Sequence, residues 1–148
     1  LGGGFYATRL YRDLRQKHGY VYSVSNSLRA SETRAAYSVS YGCDPENVSK
    51  ARALVDEDLN AMRTTNVTDA ELQQAKALLL RQITLSESSE DAVASGYLGR
   101  ALMGLPLDEP IRAARRYYEI SADEVRAAFE KWVHPENFVQ VVRGPAPK

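Results

Sequence analysis

Arg15 and Tyr22 are the side chains in this 148-residue sequence whose types and placement could do chemistry together. A guanidinium is a permanent cation with a rigid fork of donors, and a phenol adds one donor of its own. Held at one rim, the two suit a carbonyl oxygen that gains negative charge as an acyl group is transferred. The residues between them, Gln16-Lys17-His18-Gly19-Tyr20-Val21, leave no loop to spare. Ala7, Leu10, Tyr11 and Leu14 recur at i, i+3, i+4 and i+7, which predicts an amphipathic helix from about Gly4 to His18. Gly19 stands where a left-handed residue ends such a helix, with Lys17 and His18 favourably set against its C-terminal dipole. Tyr22 then falls three residues into a strand, and the sharp reversal can bring guanidinium and phenol to one rim. Each residue also has a plainer reading. Arg15 could be a solvated helix-end cation, and Tyr22 a core tyrosine sharing a face with Val24.

The elements that must position this pair follow from pattern. Tyr20, Tyr22, Val24 and Leu28 alternate with Val21, Ser23, Ser25 and Ser27, the period of a half-buried strand. After the polar turn Ser31-Glu32-Thr33-Arg34, a second alternation runs through Tyr37, Val39, Tyr41 and Cys43. The two runs predict an antiparallel hairpin with one aromatic and aliphatic face and one serine face. That serine face could pack on a helix or stand in solvent. Asp44-Pro45 reads as a helix cap and a first-turn proline, followed by the stripe Val48, Ala51, Val55, Leu59 and Met62 to about Arg63. Thr68-Asp69-Ala70-Glu71 is a capping box for a helix with Leu72, Ala75, Leu79 and Ile83 inward. The polar run Ser86 to Glu90 interrupts that helix before another from about Asp91 to Met103, ended by Gly104-Leu105-Pro106. Pro110 starts a short helix through Tyr118. Ser121-Ala122-Asp123-Glu124 is a second capping box, for a helix ending near His134-Pro135. Phe138 to Arg143 predicts a last strand that rejoins the hairpin's sheet. Two early strands, four or five helices and one returning strand describe an α+β domain.

Composition narrows the function classes. A chain of this length suits one domain, and 44% hydrophobic with 26% charged residues is ordinary for a globular protein. Nineteen basic and nineteen acidic residues cancel, which argues against a nucleic-acid partner, and no apolar run has the length of a membrane span. Arg115-Arg116-Tyr117-Tyr118 could suggest base stacking, but a solvated helix with its tyrosines packed inward suits a neutral chain better. Cys43 is the single cysteine, so no internal disulfide forms. It has no basic partner nearby in sequence and reads as a small buried residue rather than a nucleophile. His18 reads as a helix-end residue and His134, before Pro135, as structural. The opening Leu1-Gly2-Gly3-Gly4, without an initiator methionine or signal sequence, reads as the middle of something longer.

Leu14-Arg15, Gly19 and Tyr22, preceded by Gly2-Gly3-Gly4 and Arg9-Leu10-Tyr11, resemble the metal-free half of the insulinase-like (pitrilysin, M16) zinc peptidases. The resemblance continues in order through Val67 to Leu72, Ile120 to Val125 and Pro135 to Pro145, nearly the whole chain. It implies an antiparallel sheet packed against several helices, as a single partial domain over residues 1–148 whose N-terminal section is missing. It also implies a clamshell of two halves closing on an extended peptide. One half holds zinc, activates water and supplies a glutamate base. The other, this one, contributes Arg15 and Tyr22 as supporting catalytic residues. Peptides are held by strand addition, so length and unfoldedness count for more than sequence. The family's zinc motif, H-x-x-E-H, has no counterpart here. His18 and His134 each lack a second histidine four residues away, and Cys43 cannot complete a ligand set. No cofactor is therefore expected in this chain, which alone would be inactive, and zinc is expected in a partner half from the same longer chain or a separate subunit. Tyr20 stands where the family often has a small or aliphatic residue, which alters the cleft wall. The alternative is a catalytically inert scaffold or interaction subunit of the same fold, or a plain interaction module in which Arg15 and Tyr22 are structural. With a section of the fold missing, the fragment is expected to expose an unfinished sheet and to self-associate or pair through it.

Overall fold

Leu10, Leu14, Val21, Ala51, Val55, Leu59 and Val133 pack as one buried cluster, and the elements carrying them set the architecture around the candidate site. The computed structural model describes residues 8–31 and 33–145. The glycine run Gly2-Gly3-Gly4, Ala7 with the helix start assigned near Gly4, and Glu32 of the expected turn lie outside those residues. Contacts divide the chain into two compact units, Leu1–Thr65 with Ala127–Lys148, and Asn66–Arg126.

In the first unit the helix leading to Gly19 is π-wound over Tyr11–Lys17. Leu10 and Leu14 are fully buried on it, and Asp13 nearly so. Gly19 adopts φ +64°, the left-handed stop expected from sequence. The backbone N–H of Tyr20 donates to the carbonyl of Leu14 at 2.9 Å, closing the wide last turn. The strands β1 (Ser23–Ala30) and β2 (Ala35–Gly42) pair antiparallel, with Ser23 opposite Gly42 and Ala30 opposite Ala35. Val24, Tyr37, Val39 and Tyr41 lean on the core, and Tyr37 meets Phe129 edge-on with ring centroids 6.4 Å apart. The serine face stands in solvent, where Ser27 and Ser38 hydroxyls bond across the strands at 3.0 Å. A 3₁₀ turn (Pro45–Asn47) leads into α1 (Val48–Thr64), which buries Ala51, Val55, Leu59 and Met62 as its stripe predicts.

Three expectations need correction here. The first strand begins at Ser23 rather than Tyr20, and the alternation changes phase: Val21 is buried while Tyr22 is exposed. Val21 packs into the core, which turns Tyr22 outward and delays the strand to Ser23. Asp44 occupies the N-cap position of the 3₁₀ turn but makes no side-chain cap bond, because its carboxylate is engaged elsewhere. Phe138–Arg143 forms no strand: it leaves a 3₁₀ turn (Pro135–Asn137) without ladder hydrogen bonds, and Val139 and Val141 are almost fully exposed. Among the described residues the sheet has two strands, so one edge of β2 lacks a neighbour.

The second unit is helical. Its members are α2 (Asp69–Leu85), α3 (Glu90–Leu102), α4 (Glu109–Glu119) and the start of α5 (Ala122–Trp132). Both capping boxes form as expected: Thr68 and Glu71 bond reciprocally, and so do Ser121 and Glu124. Asn66 receives a bond from Arg126 and donates one to Asp123, both at 2.9 Å, tying the entry of the unit to its exit. The inward face of α2 is rotated from the expected stripe. Leu72, Leu78, Leu80 and Ile83 are half-buried, whereas Ala75 and Leu79 are exposed. On α4, Tyr117 is half-buried but Tyr118 is 76% exposed, so only one of the two tyrosines packs inward. No residue of α2, α3, α4 or α5 is fully buried.

An acid pair sits under the first unit's helix contact. Asp13 and Asp58 are each about nine-tenths buried. Burial would raise Asp13, but bonds from Arg12 at 3.1 Å and Lys17 at 2.6 Å hold it below the usual carboxylate range. Asp58 is pushed up to about 6, first by burial and then by the charge and hydrogen bond of Asp13, and its Oδ2 has no hydrogen-bond partner. A folded-state value above the unfolded 3.8 gives stability that is present at low pH and lost as pH rises through about 6. Asp13, held low, withdraws stability only as pH falls below the ordinary carboxylate range. Melting temperature should therefore rise on going from pH 7.5 to pH 5. Asp58→Asn should abolish that rise and stabilise the unit at pH 7.5 by about 1–3 kcal/mol. Calorimetry across this pH range checks both, and a flat wild-type profile would refute the pair.

Candidate functional site

Four consecutive facts of backbone geometry bring Arg15 and Tyr22 to one rim. The π-wound segment carries Arg15 on its exposed side, Gly19 reverses the chain, Val21 plugs into the core, and Tyr22 emerges just before β1. Arg15 Nη1 donates to the carbonyl of Val21 at 2.9 Å, which fixes the guanidinium against the residue next to Tyr22. The backbone N–H of Tyr22 donates to the carbonyl of Gly42 at 2.7 Å, anchoring the tyrosine to the far end of the hairpin. Its side chain is 63% exposed. Tyr22 is thus not a core residue. Arg15 makes no ion pair among the described residues, so its charge is not cancelled by a neighbouring carboxylate.

Tyr22 has a partner that sequence reasoning missed. Its hydroxyl donates to Asp44 Oδ2 at 2.6 Å. That hydrogen bond, with desolvation and the Asp44 charge behind it, raises the phenol above its usual 10, while Arg15 pulls weakly the other way. The signal lay in the sequence as Asp44-Pro45, but a helix cap was the commoner use of that dipeptide. Tyr20 forms the adjoining wall: its ring lies 5.2 Å from that of His18, and Lys50 Nζ sits 5.7 Å above it. Cys43 is half-buried with its thiol pushed up by burial and by Asp44, the opposite of an activated nucleophile.

Beyond Asp44 a groove of about 360 Å3 runs between β2, α1 and the extended C-terminal segment. In its lining Arg52 pairs with Asp56 at 3.3 Å and donates to Gln140 at 2.5 Å. The histidines make separate local contacts. His134 bonds the carbonyl of Lys131 at 3.1 Å and lies 3.4 Å from Glu136, while His18 stacks near Tyr20. Among the described residues no three His, Cys, Asp or Glu side chains gather as a metal-ligand set, so they do not fit zinc. No helix among them is long and apolar enough to cross a membrane.

Comparison with known proteins identifies the family and the fold. The family described as the peptidase M16 inactive domain matches residues 1–79. The solved peptidase M16 inactive domain from Pseudomonas fluorescens superimposes with a TM-score of 0.72 at 25% identity, over 91% of this chain and 32% of that one. An uncharacterized zinc protease of Mycobacterium tuberculosis is 28% identical over 128 residues, 86% of this chain and 29% of the relative. One from Mycobacterium leprae is 32% identical over 85 residues, 57% of this chain and 19% of the relative. The chain belongs to the M16 peptidase family, as its inactive, C-terminal-type domain with an α+β fold. It spans less than a third of the length of these relatives.

Proposed function

We propose that this domain is the substrate-binding, non-metal half of a zinc metallopeptidase that cleaves extended peptides. One observation carries the reading: Arg15 and Tyr22 face solvent at one rim, linked through the Val21 carbonyl, with the guanidinium unpaired by any carboxylate among the described residues. A cation held in this way is preorganised for a peptide carbonyl, because it needs no rearrangement as charge develops on the oxygen. The metal chemistry falls to a zinc-bearing half, within the same longer chain or as a separate subunit. This chain's residues hold and orient the peptide. An inert scaffold or interaction subunit is the second reading. It is favoured by the apolar side chains left exposed on the helical unit, among them Leu98, Leu102, Leu107 and Ile111.

Reconstitution separates the two. Combined with a zinc-bearing half, the wild-type domain should restore cleavage of an unfolded peptide that neither half achieves alone. Substituting both Arg15 and Tyr22 by alanine should remove most of that gain. Equal cleavage by the wild-type and doubly substituted domains would leave the scaffold reading.

A further inference from the structure

Asp58 is a carboxylate to which the fold offers almost no donor. It lies on the inward face of α1 between Val55 and Leu59, about nine-tenths buried, and its Oδ2 has no hydrogen-bond partner. The group it faces is a second buried carboxylate, Asp13 of the π-wound segment. Asp13 takes the local cations for itself: Arg12 donates to it at 3.1 Å and Lys17 at 2.6 Å. Arg9 and Arg12 also act on Asp58 through their charge, but burial and Asp13 outweigh them. On α1 itself Arg52 pairs with Asp56. On the elements around it, Asp44 accepts from Tyr22, Glu136 pairs with Arg63 and His134, and Glu46 and Glu130 are exposed. None of these supplies the Asp58 Oδ2 with a donor.

Two buried carboxylates in contact repel strongly when both are charged, whereas a neutral carboxyl gains an O–H that its ionised partner accepts. Arg12 and Lys17 decide which is which: they hold Asp13 ionised, so the proton falls to Asp58. The effect reaches Arg15 through the chain. Arg12 and Lys17 bracket Arg15 in sequence, and their pairing with Asp13 clips both ends of the turn that carries it. The same turn is closed by the bond from the Tyr20 N–H to the Leu14 carbonyl, and Arg15 reaches from it to the Val21 carbonyl. We propose that Asp58 is a positioning residue that works as a proton switch: one proton shared with Asp13 latches the π-wound segment onto α1 and holds Arg15 in place, and loss of that proton to water releases the segment. Asp58 sits at about 6, above its ordinary 3.8, so the latch is closed on the acid side and opens as pH rises through about 6. Its consequence for peptide cleavage rests on Arg15 being a cleft residue, whereas the latch itself does not.

NMR of the full protein, with nitrogen-15 in arginine side chains and carbon-13 in aspartate carboxyls, tests the latch directly. One carboxyl should titrate near pH 6 and be absent in Asp58→Asn. The Arg15 Nε resonance should follow it with the same midpoint. Exchange protection of the Tyr20 amide should fall several-fold from pH 5 to pH 7.5 relative to amides of β1. In Asp58→Asn, whose side-chain amide donates to Asp13 at every pH, both profiles should be flat. Asp13→Asn should move the Asp58 midpoint down, because it removes the neighbouring charge. With a zinc-bearing half added, kcat/KM of Asp58→Asn relative to wild type should rise from near unity at pH 5 to several-fold at pH 7.5. A purely structural acid pair would move the melting temperature and leave the Arg15 resonance still. That result, an Asp58 that titrates in the ordinary carboxylate range, or the same Tyr20 profile in wild type and Asp58→Asn would each overturn the latch. An Arg15 resonance that follows Asp58 while the activity ratio stays at unity would keep the latch and remove the cleft reading.

Discussion

Arg15→Ala in the complete two-half enzyme is expected to lower kcat by ten- to a thousand-fold, roughly the scale for losing one preorganised donor to a developing oxyanion. The guanidinium is exposed, bonded once to the Val21 carbonyl and otherwise uncommitted among the described residues. A charge on the substrate oxygen that grows towards the transition state draws more from this cation than the ground-state carbonyl does. Turnover should therefore fall more than affinity. Folding should barely respond, because the side chain contributes one partly solvated hydrogen bond worth about 1 kcal/mol. Arg15→Lys should recover only part of the rate, since an ammonium cannot hold the Val21 carbonyl and a substrate oxygen in one rigid fork. If kcat is unchanged while melting temperature drops, Arg15 is a structural helix-end residue.

The opposite pattern is expected one residue earlier. Leu14 is fully buried, packed with Leu10, Val21, Ala51, Val55, Leu59 and Val133. Leu14→Ala removes about three methylene-sized groups from a core that cannot collapse freely around a helix pinned by Gly19. The expected cost is about 2–5 kcal/mol, which lowers the melting temperature on the order of ten degrees or more. Below that temperature kcat should be retained, because Leu14 reaches no solvent-facing surface. Leu79→Ala, on the exposed side of α2, is the matched control and should cost far less. A Leu14→Ala chain as stable as the wild type would mean that the first unit does not rest on this cluster.

Much of the frame was legible because local chemistry and tertiary packing agree there. Gly19 is needed at positive φ, the two capping boxes satisfy donors that would otherwise be orphaned, and the α1 stripe matches a continuous buried face. The misreadings fall where a distant partner decides. Asp44 carries the sequence signature of a cap, yet a tyrosine twenty-two residues away claims its carboxylate. Phe138–Arg143 has the apolar, valine-rich composition of a strand, but composition names no neighbour, and among the described residues no strand lies beside it. The α2 stripe slipped because Leu78, Leu79 and Leu80 are consecutive, so several rotations bury similar area. Asp58 was readable in principle, since it sits at the inward spacing between Val55 and Leu59, and a carboxylate there should have been marked as perturbed. Arg15 and Tyr22 stand out by type, spacing and family resemblance, whereas the bond between Tyr22 and Asp44 is set by the tertiary fold.

The π-winding of Tyr11–Lys17 makes the place of Arg15 a matter of counting as well as of residue type. Bonds from i to i+5 turn the chain less per residue than α-helical ones, so the same side chains arrive at different angles around the axis. Deleting one residue in this stretch would let it close as an ordinary α-helix between Leu10 and the stop at Gly19. The guanidinium would then swing away from the Val21 carbonyl although every functional side chain was still present. This segment is expected to tolerate substitution far better than insertion or deletion. A relative one residue shorter between these landmarks would keep its arginine and tyrosine and still lack the rim they form here.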